Sequence, residues 1–157
     1  DIAVWKMERV SPDFHARFDA TCRKYRYQIA RRPVPLHGRI SEMVLDGLDI
    51  SSMHKCAQII SGTHNFDSFT KPDNQNPNSA CEVTRSTFIE SEPFLVYHIT
   101  ANRFVRHMVR RLVGTMLEVG RGKRSVKEFV NMIEKPSKQK NGHGAAAKGL
   151  ILEEVKY

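Results

Sequence analysis

Several residue types are scarce in this sequence, and each scarcity narrows the field. There are three cysteines in 157 residues, Cys22, Cys56 and Cys81. An odd, widely spaced set without a C-x-x-C pair speaks against a disulfide framework and against a structural zinc site. Neither His15 nor His107 reads as having a second imidazole or a carboxylate at metal-ligand spacing, and no metal is expected. No apolar run approaches the length of a membrane span, and no basic-then-apolar leader opens the chain; both absences lead us to expect a soluble chain in a reducing cytoplasm. There is no P-loop and no G-x-G-x-x-G, which leaves nucleoside triphosphate and dinucleotide chemistry without a basis. The chain begins at Asp1 without an initiator methionine, as a piece of a longer protein would.

Acids are also scarce. Against 25 Lys+Arg there are 17 Asp+Glu, a net charge of +8. Such a balance favours nucleic acid, an acidic membrane or another polyanion as partner and carries no information about specificity. The length suits one domain over residues 1–157, since a chain of ~150 residues buries roughly two thirds of its unfolded surface.

What is present reads as an α+β domain, an antiparallel sheet packed against helices. "IAVWKMERV" (2–10) reads as a strand leading to the turn Ser11-Pro12-Asp13. "CRKYRYQI" (22–29) alternates, with Tyr25, Tyr27 and Ile29 on one face and Lys24, Arg26 and Gln28 on the other. Residues 31–47, with Pro33, Pro35, Gly38 and Gly47, read as an irregular connection. Asp49 is placed to cap a helix that turns Ile50, Met53, Ala57 and Ile60 inward and stops before Gly62. "KPDNQNPNSA" (71–80) has the composition of an exposed loop. Two strands follow, 83–90 and 95–101. Ser125 with Glu128 forms a capping-box pattern for a helix burying Val126, Phe129, Val130 and Ile133. Residues 135–148, rich in Lys, Gly and Ala, are expected to be mobile, and "LILEEVKY" reads as a final strand.

The most informative stretch is "NRFVRHMVRRLVG" (102–114). Read as a helix capped by Asn102 and ending near Gly120, it puts Phe104, Val105, Met108, Val109, Leu112, Met116 and Val119 on one arc. Arg103, Arg106, His107 and Arg110 share the other, with Arg111 near its edge. Gly114 lies in the basic arc, where another chain could come close. No acid relieves that arc before Glu118, so it is either a solvated face or a surface for an anionic partner. On the strand, Tyr25 and Tyr27 beside Lys24 and Arg26 interleave aromatic and basic groups, a pattern that can stack bases and hold phosphates; Tyr27 reads as a core residue, and Tyr25 fits either place equally well. His15 reads as a structural or RNA-facing residue, and Cys22 as buried filler.

"DFHARFDATCRKYRY", "NRFVRHMVRRLVGTMLEVG" and "GLILEEVKY" together resemble the C-terminal half of the tRNA pseudouridine synthase A family, in consistent order along the whole chain. The resemblance implies a pseudouridine-synthase-like fold and an enzyme that isomerises uridines of the tRNA anticodon stem-loop to pseudouridine, without metal or cofactor, typically as a homodimer. It implies that Tyr25 is the active-site tyrosine, stacking on the target base or moving a proton from its ring. It implies that Arg110 pairs with the catalytic aspartate and keeps it ionised, and that Leu150 lines the uracil pocket. Asn102, Phe104 and His107 also match its motifs. Arg103 and Arg106 would then meet phosphates, with Lys24, Arg26 and His107 as further substrate contacts. The family's nucleophilic aspartate sits in a G-R-T-D-A-G stretch. None of Asp1, Asp13, Asp19, Asp46, Asp49, Asp67 or Asp73 has that context, so the chain alone is expected to be inactive. The alternative is a stand-alone RNA-binding module that never had a catalytic half.

Overall fold

The structure is a computed structural model that describes residues 2–71, 78–139 and 142–157. Most of the expected loop at 71–80 falls outside those residues. Six strands and three α-helices follow in the order β1 (Cys22–Ala30), β2 (Glu42–Met43), α1 (Ile50–Ile59), β3 (Gly62–Asn65), β4 (Ala80–Ser91), β5 (Phe94–Ala101), α2 (Met108–Gly120), α3 (Val126–Glu134) and β6 (Leu150–Lys156).

The sheet runs β2-β1-β5-β4-β3, with β6 pairing the first part of β1 on the same side as β2. Every pair is antiparallel except β1 with the short β2, so the sheet is mixed rather than purely antiparallel as expected. Period-2 alternation is clean on β5, where Leu95, Tyr97, Ile99 and Ala101 are buried. They join Tyr27 and Ile29 of β1, Met53 and Ala57 of α1, Leu112 and Met116 of α2, and Phe129 of α3 in one apolar core. Two helix starts fold as their local sequence dictates. The Asp49 carboxylate accepts from the Ser52 N–H at 3.0 Å. Ser125 and Glu128 close a reciprocal capping box.

Three expectations are overturned. Residues 2–10 are exposed coil rather than a strand, with Trp5 96 % exposed. The apolar residues are there, but no neighbouring strand among the described residues offers the ladder that a strand requires. The second correction concerns α2, which starts at Met108 rather than Asn102. Its N-cap is His107, in the left-handed region at φ 65° and without a side-chain cap. Asn102 is used elsewhere: its side chain accepts from the Glu82 N–H at 3.0 Å and its own N–H donates to the Glu82 carbonyl at 3.1 Å, fastening the end of β5 to β4.

The third correction concerns residues 142–148, which are not loose. The Gly142 N–H donates to Ser68 O at 3.0 Å and the Ala145 N–H to Arg110 O at 2.9 Å, so this glycine- and alanine-rich strap lies against α2. Its small residues permit the approach. A Cβ added to Gly114 would collide with the His143 carbonyl oxygen and lie 2.8 Å from Ala145 N. The chain that comes close at Gly114 is therefore the protein's own strap. With the strap in place, every α2 residue except Arg110, Arg111 and Glu118 is buried. The helix is covered nearly all round and does not show a solvated basic face.

Candidate functional site: a pocket between β1, β6 and the start of α2

Alternation on β1 places Tyr25 and Tyr27 on the same face, and the two differ in what surrounds them. Tyr27 is fully buried. Its hydroxyl donates to the Glu42 carboxylate and lies 2.6 Å from the Ala146 carbonyl, and burial first, then Glu42, pushes its pKa far above the ordinary phenol range. Gly149 lies beside it; a Cβ there would stand 2.6 Å from the Tyr27 ring. Tyr27 is thus a core residue that anchors both the strap and the start of β6.

Tyr25 lies two residues earlier, where the core opens. Its ring meets Phe104 edge-on, with centroids 5.0 Å apart at 87°. Phe104 and Val105 are packed against the core because the chain from 102 to 107 is not helical. Together with Met108, Val109 and Leu150 they wall a cavity of about 170 Å³, into which Tyr25, His107 and Arg110 bring polar groups. That is below the several-hundred-Å³ size typical of sites for drug-sized ligands and suits a single small ring. Among the described residues no carboxylate lines it.

Arg110 is positioned from two sides. Its Nε donates to the Ala145 carbonyl at 2.7 Å, while its own carbonyl accepts from the Ala145 N–H. Among the described residues no carboxylate pairs with this guanidinium. The ionisation of His107 registers the local field: partial burial first, then the charges of Arg110, Arg106, Arg111 and Lys71, hold its pKa below the usual imidazole range. Such a concentration of positive charge is suited to an anionic partner.

The residues picked out from sequence divide into three groups. Tyr25, Arg110, Leu150 and His107 share the cavity. Arg103 lines a second, larger chamber beside it, which Tyr25 and Phe104 also wall; Arg106 is exposed in the turn before α2. Lys24 and Arg26 are not brought to either space. They lie on the opposite face of β1, where Lys24 Nζ is 3.1 Å and Arg26 is 3.6 Å from the Glu153 carboxylate. A register shift between Lys24 and Tyr25 opposite β6 accompanies that arrangement. Three residues near the site were not singled out from sequence: Glu42, which holds Tyr27 and accepts from the Ala146 N–H at 3.1 Å, and Arg17 and Arg23 of the second chamber. The two arginines stood within quoted motifs; nothing local marks Glu42. Among the described residues, no group of three or more His, Cys, Asp or Glu is placed to hold a metal ion, and no helix is long and apolar enough to cross a membrane.

Residues 56–157 match the family model described as tRNA pseudouridine synthase. The chain is similar to the tRNA pseudouridine synthase A of Pelodictyon phaeoclathratiforme, 38 % identical over 156 residues that cover 99 % of this chain and 64 % of that protein. It is also 38 % identical to that of Bacteroides fragilis, covering 100 % of this chain and 63 % of the relative, and 36 % identical to that of Chlorobaculum tepidum, covering 99 % and 63 %. The chain thus spans less than two thirds of the length of these relatives.

Proposed function

Because this chain belongs to the tRNA pseudouridine synthase family, we propose that it supplies the uracil pocket and part of the RNA surface of an enzyme that isomerises uridine to pseudouridine in the anticodon stem-loop of tRNA. The observation that carries this reading is the cavity of about 170 Å³ shared by Tyr25, Arg110 and Leu150. A base that is to be rotated must first leave its stack, which takes a small pocket set in a positive surface. Tyr25 would stack on the extruded ring or move its proton, Leu150 would close the apolar side, and Arg103 and Arg106 would hold phosphates. The reaction breaks the C1′–N1 bond and forms C1′–C5; C5 loses its proton and N1 gains one. It requires a nucleophile, and no carboxylate of the described residues lines the pocket. In this reading the aspartate that Arg110 would keep ionised is supplied by a segment outside residues 1–157, since no aspartate of this sequence stands in the family's G-R-T-D-A-G context. The same reading takes the enzyme to be a cytoplasmic homodimer that uses neither metal nor cofactor.

Release of tritium from C5-labelled uridine in tRNA tests this directly. The intact protein is expected to release label, and residues 1–157 alone to release none. Release by the isolated chain would refute the division of the site. No release by the intact protein, with salt-sensitive tRNA binding retained, would make the chain an RNA-binding module instead.

A second expectation concerns His107. Its pKa is depressed in part by neighbouring cations, and phosphates that neutralise them would lift it. Histidine NMR titration of the intact protein should therefore show the His107 pKa rising when an anticodon stem-loop is added. An unchanged value would place the phosphates elsewhere.

A further inference from the structure

A second chamber, of about 530 Å³, adjoins the pocket, and Tyr25 and Phe104 wall both. From its geometry we infer that it seats the nucleotide next to the target uridine, with that nucleotide's base stacked on Phe18 and its phosphate held by Arg17 and Arg103. This rests on the reading above and extends it to a neighbouring residue of the same RNA strand.

Three observations carry the inference. The chamber is a built space. Arg23 donates to the Ala20 carbonyl at 2.6 Å, to the Asn102 carbonyl at 2.7 Å and to the Arg17 carbonyl. Its guanidinium thereby ties the 15–20 turn to the segment after β5 and fixes two walls in advance of any ligand, which lowers the ordering cost of binding. The chamber is also cationic, and among the described residues no acid lines it. Among the described residues neither Arg17 nor Arg103 has a carboxylate within ion-pair distance, so both guanidinia are available to a phosphate. Finally, Phe18 is 72 % exposed, with the His15 ring 4.3 Å from its own and the Arg17 guanidinium 5.5 Å from its centroid. A largely exposed aromatic ring beside arginines that have no carboxylate partner among the described residues is what a single-stranded nucleic acid needs, since a base can stack on the exposed part of the ring while the phosphate meets the charge. The separation between the two spaces is the Tyr25–Phe104 ring pair, so a base extruded into the smaller pocket leaves its neighbour at the mouth of the larger. The stretch "DFHARFDA", idle in the proposed chemistry, thereby acquires a role.

The test uses the intact protein and an RNA stem-loop carrying the target uridine, in which the nucleotide on its 5′ side or its 3′ side is made abasic, one at a time. With the wild-type protein, one of the two abasic changes is expected to weaken binding about tenfold. Phe18→Ala should weaken binding of the complete RNA by a similar factor, and removal of the same base should then cost nothing further. Arg103→Ala should weaken complete and abasic RNAs alike and lower the salt slope by about one. The inference is overturned if Phe18→Ala binds as wild type does. It is equally overturned if the abasic penalty is the same in both proteins, including the case where Phe18→Ala only lowers thermal stability because protein fills the chamber. Tritium release by the wild-type protein on the complete RNA is followed in parallel. Normal release with an overturning pattern removes the neighbour seat alone, whereas no release removes the functional reading and this inference with it.

Discussion

Replacing Arg110 with alanine in the intact protein is expected to lower kcat for tritium release by roughly a hundredfold or more, while tRNA affinity changes by less than about threefold. The reason is the position of the guanidinium. It lines the small cavity beside Tyr25 and Leu150, half-buried and held through Nε by the Ala145 carbonyl, where it can face a reacting group. Removing one partner of a desolvated ion pair costs about 3–5 kcal/mol. At about 1.4 kcal/mol per tenfold that loss falls mainly on the chemical step. Arg110→Lys keeps the charge but has no second nitrogen for the Ala145 carbonyl, so only partial recovery is expected. Arg106→Ala should do the reverse. Its side chain is exposed in the turn before α2, so it should weaken tRNA binding and reduce the salt slope by about one with kcat nearly intact. Steady-state kinetics with a parallel binding measurement on all three variants decides the matter. If Arg110→Ala and Arg106→Ala both lose affinity alone, Arg110 belongs to the RNA surface and has no part in the chemistry.

Gly114→Val is expected to destabilise the protein by about 1–3 kcal/mol, the range for forcing bulk into a packed interior. The added atoms meet backbone, the His143 carbonyl and Ala145 N, which cannot rotate aside as a side chain would. Relief requires the strap to lift from α2. Lifting it removes the acceptor that positions Arg110, so activity should fall more steeply than stability alone explains. Gly144→Ala, two residues along from Gly142 in the same strap, is the internal control: nothing lies within 4 Å of a Cβ there, and its effect should stay within about 0.5 kcal/mol. Denaturant unfolding combined with tritium release measures both quantities. A Gly114→Val protein with unchanged stability would mean that the strap does not rest on the helix.

The strap also marks where sequence reasoning reached its limit. Elements whose signals are local were legible: β1 from its alternation, α1 from Asp49, α3 from the Ser125–Glu128 box, β5 from four inward residues at even spacing. Features set by distant partners were not. The glycines and alanines of 142–147 read as mobility when considered alone, whereas the lack of a Cβ at Gly114 and at Gly142 is what lets this strap and α2 touch. Residues 2–10 carry a strand's pattern and lack a neighbour. Asn102 has the chemistry of an N-cap and spends it on Glu82, which delays α2 by one and a half turns and removes Arg103 and Arg106 from the helix. That delay leaves Phe104 and Val105 in the non-helical wall of the cavity. At the site, Tyr25, Arg110 and Leu150 were identifiable through motif resemblance, and the structure then showed that they meet. Lys24 and Arg26 were chosen by adjacency to Tyr25 in sequence, and on a strand adjacency means the opposite face. Glu42 had no signal at all, because its role exists only once Tyr27 and Ala146 are brought to it.

In the proposed reaction an extruded uracil enters the cavity between Tyr25 and Leu150 and is met there by a carboxylate paired with Arg110. A crystal structure of the intact protein bound to an anticodon stem-loop measures this directly. The target ring is expected in van der Waals contact with Tyr25 and Leu150, with an aspartate oxygen within ion-pair distance of the Arg110 guanidinium. A target base still stacked in the loop, or seated on another face of the protein with that cavity filled by protein side chains, would contradict it.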